Sequence, residues 1–179
     1  MGFDRIEADE VWSGELLEVW KEVFRHDDGE IAIREVVRHP GAVLVLAIDG
    51  DELVLVTQPR EAVDEEALLE VPAGKLDEGE EPIATAKREL AEEVGLAGAS
   101  WRHLKTFYSS PGFTDEQLHL YQASELSEQT ADSGEEERIT IERIPLSDLD
   151  RAIERCRDAK SLVALLWLRA YGPGAPSAA

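Results

Sequence analysis

The chain reads as an α/β layered domain, a mixed β-sheet sandwiched between helices, with an antiparallel strand pair at its N-terminus. Three observations predict this. Strand-length runs of alternating or continuous apolar residues recur from residue 16 to 57 and again from 101 to 144. One helix-period segment, bounded by Pro82 and Gly95, stands between the two groups. Two further helical segments close the chain.

The elements follow in order. Residues 16–25 alternate in strand fashion, the turn His26-Asp-Asp-Gly29 follows, and a second alternating run covers 30–37. This pair is assigned to an N-terminal hairpin spanning residues 1–39. Pro40-Gly41 breaks the chain before a continuous apolar run at 42–48, which implies a strand buried on both faces. Asp49-Gly-Asp51 turns the chain into a strand at 53–57. After the helix come strands at 101–108, 117–122 and 138–144, then helices near 147–157 and 160–170. The last helix presents Leu162, Leu165, Leu166 and Leu168 as its apolar face. The main domain is assigned to 40–171. The tail from Gly172, rich in Gly, Pro and Ala, is expected to be disordered.

Composition narrows the function. The formal net charge is −21, with 39 acidic and 18 basic residues. Such a surface opposes nucleic acid and anionic membranes, and no basic stripe offsets it. It equally repels phosphate-bearing small molecules, so such a ligand needs metal ions to bridge the charges. Only 5 of the basic residues are lysine, a balance consistent with simple solubility or with a salt-adapted host. The single cysteine, Cys156, excludes an internal disulfide framework and is read as a buried small side chain. No apolar stretch reaches the ~18 residues of a membrane span, and the N-terminus lacks a signal-peptide core, so a cytoplasmic protein is expected.

The segment from Gly74 to Leu96 carries the chemistry. On a helix, Ile83, Ala86, Leu90 and Val94 form one narrow apolar stripe. Glu89 and Glu93 stand four apart on an adjacent face, with Glu92 beside them. Arg88 is spaced to pair with Glu92, whereas the sequence puts no basic residue three or four positions from Glu89 or Glu93. Hard oxygen donors at this spacing suit Mg²⁺ or Mn²⁺, which bind a few carboxylates together with substrate phosphates.

That segment resembles the Nudix box: a glycine, five residues, Glu, seven residues, then Arg-Glu-aliphatic-any-Glu-Glu-any-Gly-aliphatic. Gly74, Glu80, Arg88, Glu89, Leu90, Glu92, Glu93, Gly95 and Leu96 fill every defined place. The resemblance implies a Nudix hydrolase, with a loop–helix–loop on a mixed sheet. It implies that Glu89, Glu92 and Glu93 hold the metals, joined by the Ala73 carbonyl. Arg88 would steady the glutamates, Glu80 would brace the helix from the loop, and Gly74 would permit a tight backbone.

Further marks resemble the ADP-ribose pyrophosphatase group of that family. Pro111 lies in Ser-Ser-Pro-Gly-Phe-Thr-Asp-Glu, residues 109–116, and Leu69-Glu-Val-Pro-Ala-Gly74 leads into the box. Arg60 ends a Gln-Pro-Arg segment, and Arg34 opens Arg-Glu-Val-Val-Arg-His-Pro-Gly. By this resemblance Arg60, Arg34, Glu70, Pro111, Gly112 and Glu116 meet the substrate, and the N-terminal strands pair two copies into a homodimer. A catalytic base is expected in the loop before the last strand. Glu136 is favoured over Glu135, with Glu137 third and Glu92 of the box as the fallback. The implied reaction cleaves ADP-ribose to AMP and ribose 5-phosphate. The acidic stretch 61–66 departs from the group and leaves the sugar open. GDP-mannose or another nucleoside diphosphate sugar is the alternative substrate, and a non-catalytic ligand-binding module is the alternative of another class.

Overall fold

In a computed structural model, residues 2–130 and 138–174 are described. The chain divides into two compact units: the segment up to Gly41 with Tyr108–Gln117, and Ala42–Phe107 with the chain from Leu118 onward.

The first unit is a three-stranded antiparallel sheet, β1 (Phe3–Ser13), β2 (Glu18–His26) and β3 (Ile31–Arg38), in that order. The expected hairpin is β2–β3, where Val23 faces Ile33 and Gly29 takes a φ of 88° at the turn. The sequence reading missed β1. Every residue of β1 is exposed, and its register shifts between Arg5 and Glu7 and again between Glu10 and Trp12. Those irregularities, with acidic residues throughout, erase the period-2 signal. Tyr108–Gln117 joins this unit through backbone hydrogen bonds: Val37 N–H donates to the Phe113 carbonyl (2.7 Å) and Asp115 N–H to the Val37 carbonyl (3.3 Å). Arg38 also donates to the Asp115 carboxylate at 2.7 Å.

The second unit is built on β4 (Ala42–Asp49), β5 (Glu52–Arg60), β6 (Glu65–Glu70), β7 (Ala73–Lys75), β8 (Leu96–Tyr108), β9 (Gln117–Glu128) and β10 (Thr140–Pro145). The main path runs β10-β5-β4-β9-β8, with β6 on β5 and β7 on β4. The sheet is mixed: β4 and β9 run parallel, and the other registered pairs are antiparallel. The helices are α1 (Pro82–Val94), α2 (Leu149–Arg155) and α3 (Ala159–Tyr171).

Strand β4 explains its own composition. Val43, Val45 and Ala47 pack with Ala86, Leu90 and Val94 of α1, whereas Leu44, Leu46 and Ile48 pack with Ala152, Ala164, Leu165 and Leu168 of α2 and α3. A strand covered on both faces must be apolar at every position, and each such side chain contributes about 1.5–3 kcal/mol by leaving water.

Several boundaries differ from the sequence reading. Strand β8 begins at Leu96 rather than 101, and β9 continues to Glu128. The penultimate helix is only Leu149–Arg155; the chain then extends through Cys156–Asp158 before Asp158 caps α3 by accepting from Ser161 N–H at 3.0 Å. The inward face of α3 is Ser161, Ala164, Leu165 and Leu168, while Leu166 is 43% exposed. Cys156 is buried as expected, and burial pushes its thiol pKa up.

Candidate active site

Helix α1 takes the bounds its sequence calls for. Pro82 occupies the first turn, and Gly95 ends the helix at φ 67°, its N–H donating to the Ala91 carbonyl at 3.0 Å. Thr85, Ala86, Leu90, Ala91 and Val94 are buried against the sheet. This fixes the rotation of α1, so Arg88, Glu89, Glu92 and Glu93 fall on its half-exposed flank.

Arg88 organises that flank. Its Nη1 donates to Glu89 Oε1 (2.7 Å) and to Glu92 Oε2 (3.0 Å). Its Nη2 donates to Glu80 Oε2 (3.0 Å), and Asp77 lies 3.5 Å away. The spacing rule named only Glu92 as its partner. The structure adds Glu89, because a guanidinium has several donors and can fold back onto its chain neighbour. These carboxylates raise the Arg88 pKa above its already high ordinary value, the Glu80 hydrogen bond contributing most. Glu80 in turn accepts from Thr85 Oγ1 at 2.8 Å, and the Arg88 hydrogen bond holds its carboxyl below the usual range. The loop before α1 is thereby tied to the helix it enters.

The other side of the site is β7. Ala73 N–H donates to Glu93 Oε2 at 3.0 Å. A Cβ placed on Gly74 would fall inside the Glu89 carboxylate. The reason for glycine here is therefore space for Glu89; the backbone is not in the left-handed region that a tight turn would use.

Arg60 ends β5 and Glu70 ends β6. Arg60 Nε and Nη2 donate to the two oxygens of Glu70 at 2.6 and 2.9 Å, a bidentate pair. The Glu70 hydrogen bond raises the Arg60 pKa, and the charge of Glu93 adds to it, which brings Arg60 within electrostatic reach of the α1 carboxylates. Arg60 keeps 40% of its side chain exposed, whereas the Glu70 side chain is fully buried. Glu70, expected to meet the substrate, has its carboxylate bonded by Arg60 and Lys160.

The remaining expected residues lie in the first unit. Arg34 is exposed on β3 and donates to the Ile33 carbonyl at 2.9 Å. Pro111 and Gly112 are exposed in a turn closed by Phe113 N–H on the Ser110 carbonyl (3.1 Å). Glu116 lies 3.5 Å from His39. Glu135, Glu136 and Glu137 lie outside the described residues. The sequence reading passed over Glu22, only 2% exposed on β2, which takes Arg5 (2.8 Å) and Arg38. It also passed over Lys160, which meets Glu70 at 2.7 Å. Sequence separations of 16 and 90 residues leave no local signal for either.

The NUDIX domain model matches residues 37–166. The chain belongs to the Nudix family. Over 169 residues it is 37% identical to the ADP-ribose pyrophosphatase of Bacillus subtilis, covering 92% of this chain and 91% of that protein. It is 38% identical over 170 residues to the methanol dehydrogenase activator of Bacillus methanolicus, covering 92% and 91%. It is 36% identical over 157 residues to the ADP-ribose pyrophosphatase of Mycobacterium tuberculosis, covering 86% and 75%. A crystal structure of an ADP compounds hydrolase superposes with a TM-score of 0.82 at 22% identity, covering 95% of this chain and 96% of that one, and so shares its fold.

The donor set fits the divalent metal that Nudix hydrolases generally use. Glu89, Glu92 and Glu93 offer only carboxylate oxygens, within two helical turns and each partly exposed, and Gly74 leaves Glu89 its room. Among the described residues no three His, Cys, Asp or Glu form a ready cage.

Proposed function

We propose that this protein is a Mg²⁺- or Mn²⁺-dependent hydrolase that splits the pyrophosphate of ADP-ribose into AMP and ribose 5-phosphate. The observation that carries the reading is one arrangement: the α1 carboxylates, ordered by Arg88 and seated on Ala73 and Gly74, with the half-exposed Arg60 within reach of the Glu93 charge. Two relatives alike over most of their length bear the name ADP-ribose pyrophosphatase, which supports the choice of substrate.

In this reading Glu89, Glu92, Glu93 and the Ala73 carbonyl hold the metal. When bound, the ions would neutralise the diphosphate and lower the pKa of the attacking water. Arg88 and Glu80 keep the glutamates in place, and Gly95 ends the helix that presents them. Arg60 receives a phosphate. Arg34, Pro111, Gly112 and Glu116 recognise the nucleoside and ribose. A glutamate among Glu135, Glu136 and Glu137, with Glu136 first, takes the proton of the water whose oxygen attacks phosphorus; one P–O bond of the anhydride then breaks.

The proposal includes a cytoplasmic homodimer that binds neither nucleic acid nor membrane. The charge of −21 supports the last two points, and among the described residues no helix is long and apolar enough to cross a membrane. The first unit supports the dimer, because it exposes Phe3, Val11, Trp12, Ile31 and Ile33, each by half or more.

The test is a phosphate-release screen, coupled to phosphatase, of ADP-ribose, GDP-mannose, diadenosine polyphosphates and NADH with Mg²⁺. ADP-ribose should lead the panel. Preference for GDP-mannose would overturn the substrate, and metal-independent or absent turnover would overturn the hydrolase.

A further inference from the structure

Glu70 is a carboxylate side chain with no exposed surface. A carboxylate in that position is costly unless strongly paired, and removing one partner leaves the cost standing. Arg60 occupies both of its oxygens, and Lys160 Nζ of α3 also donates to Oε2 at 2.7 Å. Lys160 also meets Asp158 at 2.8 Å, and Asp158 is committed to the α3 cap, accepting from Ser161 N–H (3.0 Å) and Ser161 Oγ (2.6 Å). Ser161 Oγ accepts from Val71 N–H at 3.0 Å, which pins the strand end that leads to Ala73.

The charges alternate along this line, with Asp158 at the inner end and Arg60 at the half-exposed end. With Glu70 alone, Arg60 would be a neutralised pair. Lys160 shares the Glu70 charge, so more of the guanidinium field is left for a ligand, and the bidentate grip fixes its plane.

We propose that Lys160, acting through Glu70, is a positioning residue for the Arg60 guanidinium, and hence for the diphosphate of the substrate. This rests on the reading of Arg60 as the phosphate-binding cation.

The test is a double-mutant cycle read as the Kd of ADP, in Mg²⁺, by calorimetry. ADP carries a diphosphate, and its binding is measured without turnover. Lys160→Met and Arg60→Ala should each weaken ADP about tenfold, and together no more than Arg60→Ala alone. Lys160→Arg should bind like wild type. With ADP-ribose, Lys160→Met should raise KM about tenfold and keep kcat within about twofold, a split that general loosening of the fold would not give. An unchanged Kd in Lys160→Met or in Arg60→Ala would overturn the proposal, as would two effects that multiply in the double variant. A wild-type protein that binds ADP through Arg60 yet leaves ADP-ribose intact overturns the functional reading alone. Turnover of ADP-ribose with multiplying effects overturns the positioning role alone.

Discussion

Gly74→Ala tests the site by a single methyl group. The added Cβ would coincide with the Glu89 carboxylate, whose three carboxyl atoms are its nearest neighbours. That side chain is 12% exposed and bonded to Arg88 Nη1 at 2.7 Å, so it can yield only by breaking the bond and swinging outward. Forcing a methyl into packed space costs about 1–3 kcal/mol. The lost charge-assisted hydrogen bond is part of the same displacement, so the two costs do not add. For a chain of this size the melting temperature should fall by roughly 3–10 °C. Activity should fall further, because a displacement of about 1 Å in a reacting constellation costs on the order of a hundredfold. The assay is kcat as a function of Mg²⁺ concentration, with thermal melting on the same samples. Gly79→Ala is the control: its φ of 76° makes a side chain strained, yet nothing stands within 4 Å of the new Cβ. It should lose about 1 kcal/mol of stability and keep its activity. A Gly74→Ala protein with wild-type kcat and unchanged Mg²⁺ half-saturation would refute the argument that this glycine exists to seat Glu89.

Glu93→Gln and Glu89→Gln keep volume and helix propensity while removing a charge; each should lower kcat by roughly a hundredfold or more with the fold intact, and full activity in either would sink its metal role. Replacing Glu135, Glu136 and Glu137 by glutamine one at a time should give one variant with kcat reduced about two to four orders of magnitude and KM nearly kept. If the triple variant turns over like wild type, the base lies elsewhere, with Glu92 next in line. Sedimentation should find a two-fold dimer, and a fully active 19.8 kDa monomer at micromolar concentration would remove the paired N-terminal sheets. Asp158→Ala should cost roughly 1–2 kcal/mol at pH 7 as a lost helix cap. Burial opposes ionisation of Asp158, but Lys160 and Ser161 hold its carboxyl below the ordinary range. A depressed folded pKa stabilises above the unfolded value and is lost as pH falls through the folded one, so the wild-type advantage should shrink below about pH 4. An advantage that is the same at pH 7 and pH 2.5 would contradict this.

How much of this was legible in the sequence depends on how local the cause is. The bounds of α1 follow from Pro82 and Gly95, residues whose backbone preferences act alone. The box residues sit within 23 positions of one another, so their spacing carries their geometry. Strand β4 was legible because burial on both faces leaves an unbroken apolar run. Strand β1 was not, since an exposed strand with two register shifts has no face to pattern. The start of β8 was hidden in Ala97-Gly-Ala-Ser100, residues with little strand preference, which the neighbouring β9 recruits. On α3, four leucines suggested a face that the helix turns partly outward, and the small residues Ser161 and Ala164 take the inner places. Glu70 was marked for its neighbours in the chain, but it is buried and bonded to Lys160, ninety residues away.

The same contrast explains how so acidic a protein can hold an anionic substrate. Repulsion between exposed charges fades over about 8 Å at physiological salt, so the overall −21 matters less to a bound diphosphate than the groups that touch it. In the proposed reading two arginines divide the work at that range. Arg88 is consumed by Glu80, Glu89 and Glu92, with Asp77 close by, and is therefore a structural cation. It neutralises only part of the negative charge on α1, and the excess is what a divalent ion would take up. Arg60 is hydrogen-bonded to the Glu70 carboxylate, which is itself shared with Lys160, and it feels the charges of Glu93 and Asp158 only at longer range. It is the cation with field to spare, and it stands half exposed within reach of Glu93. Exchanging the two roles should fail in a distinguishable way. Arg88→Lys, which cannot hold several carboxylates in a planar fork, should weaken Mg²⁺ dependence and kcat together. Arg60→Lys should leave the Mg²⁺ half-saturation near wild type and raise KM. If Arg88→Lys changes only KM, the division of labour between the two arginines is wrong.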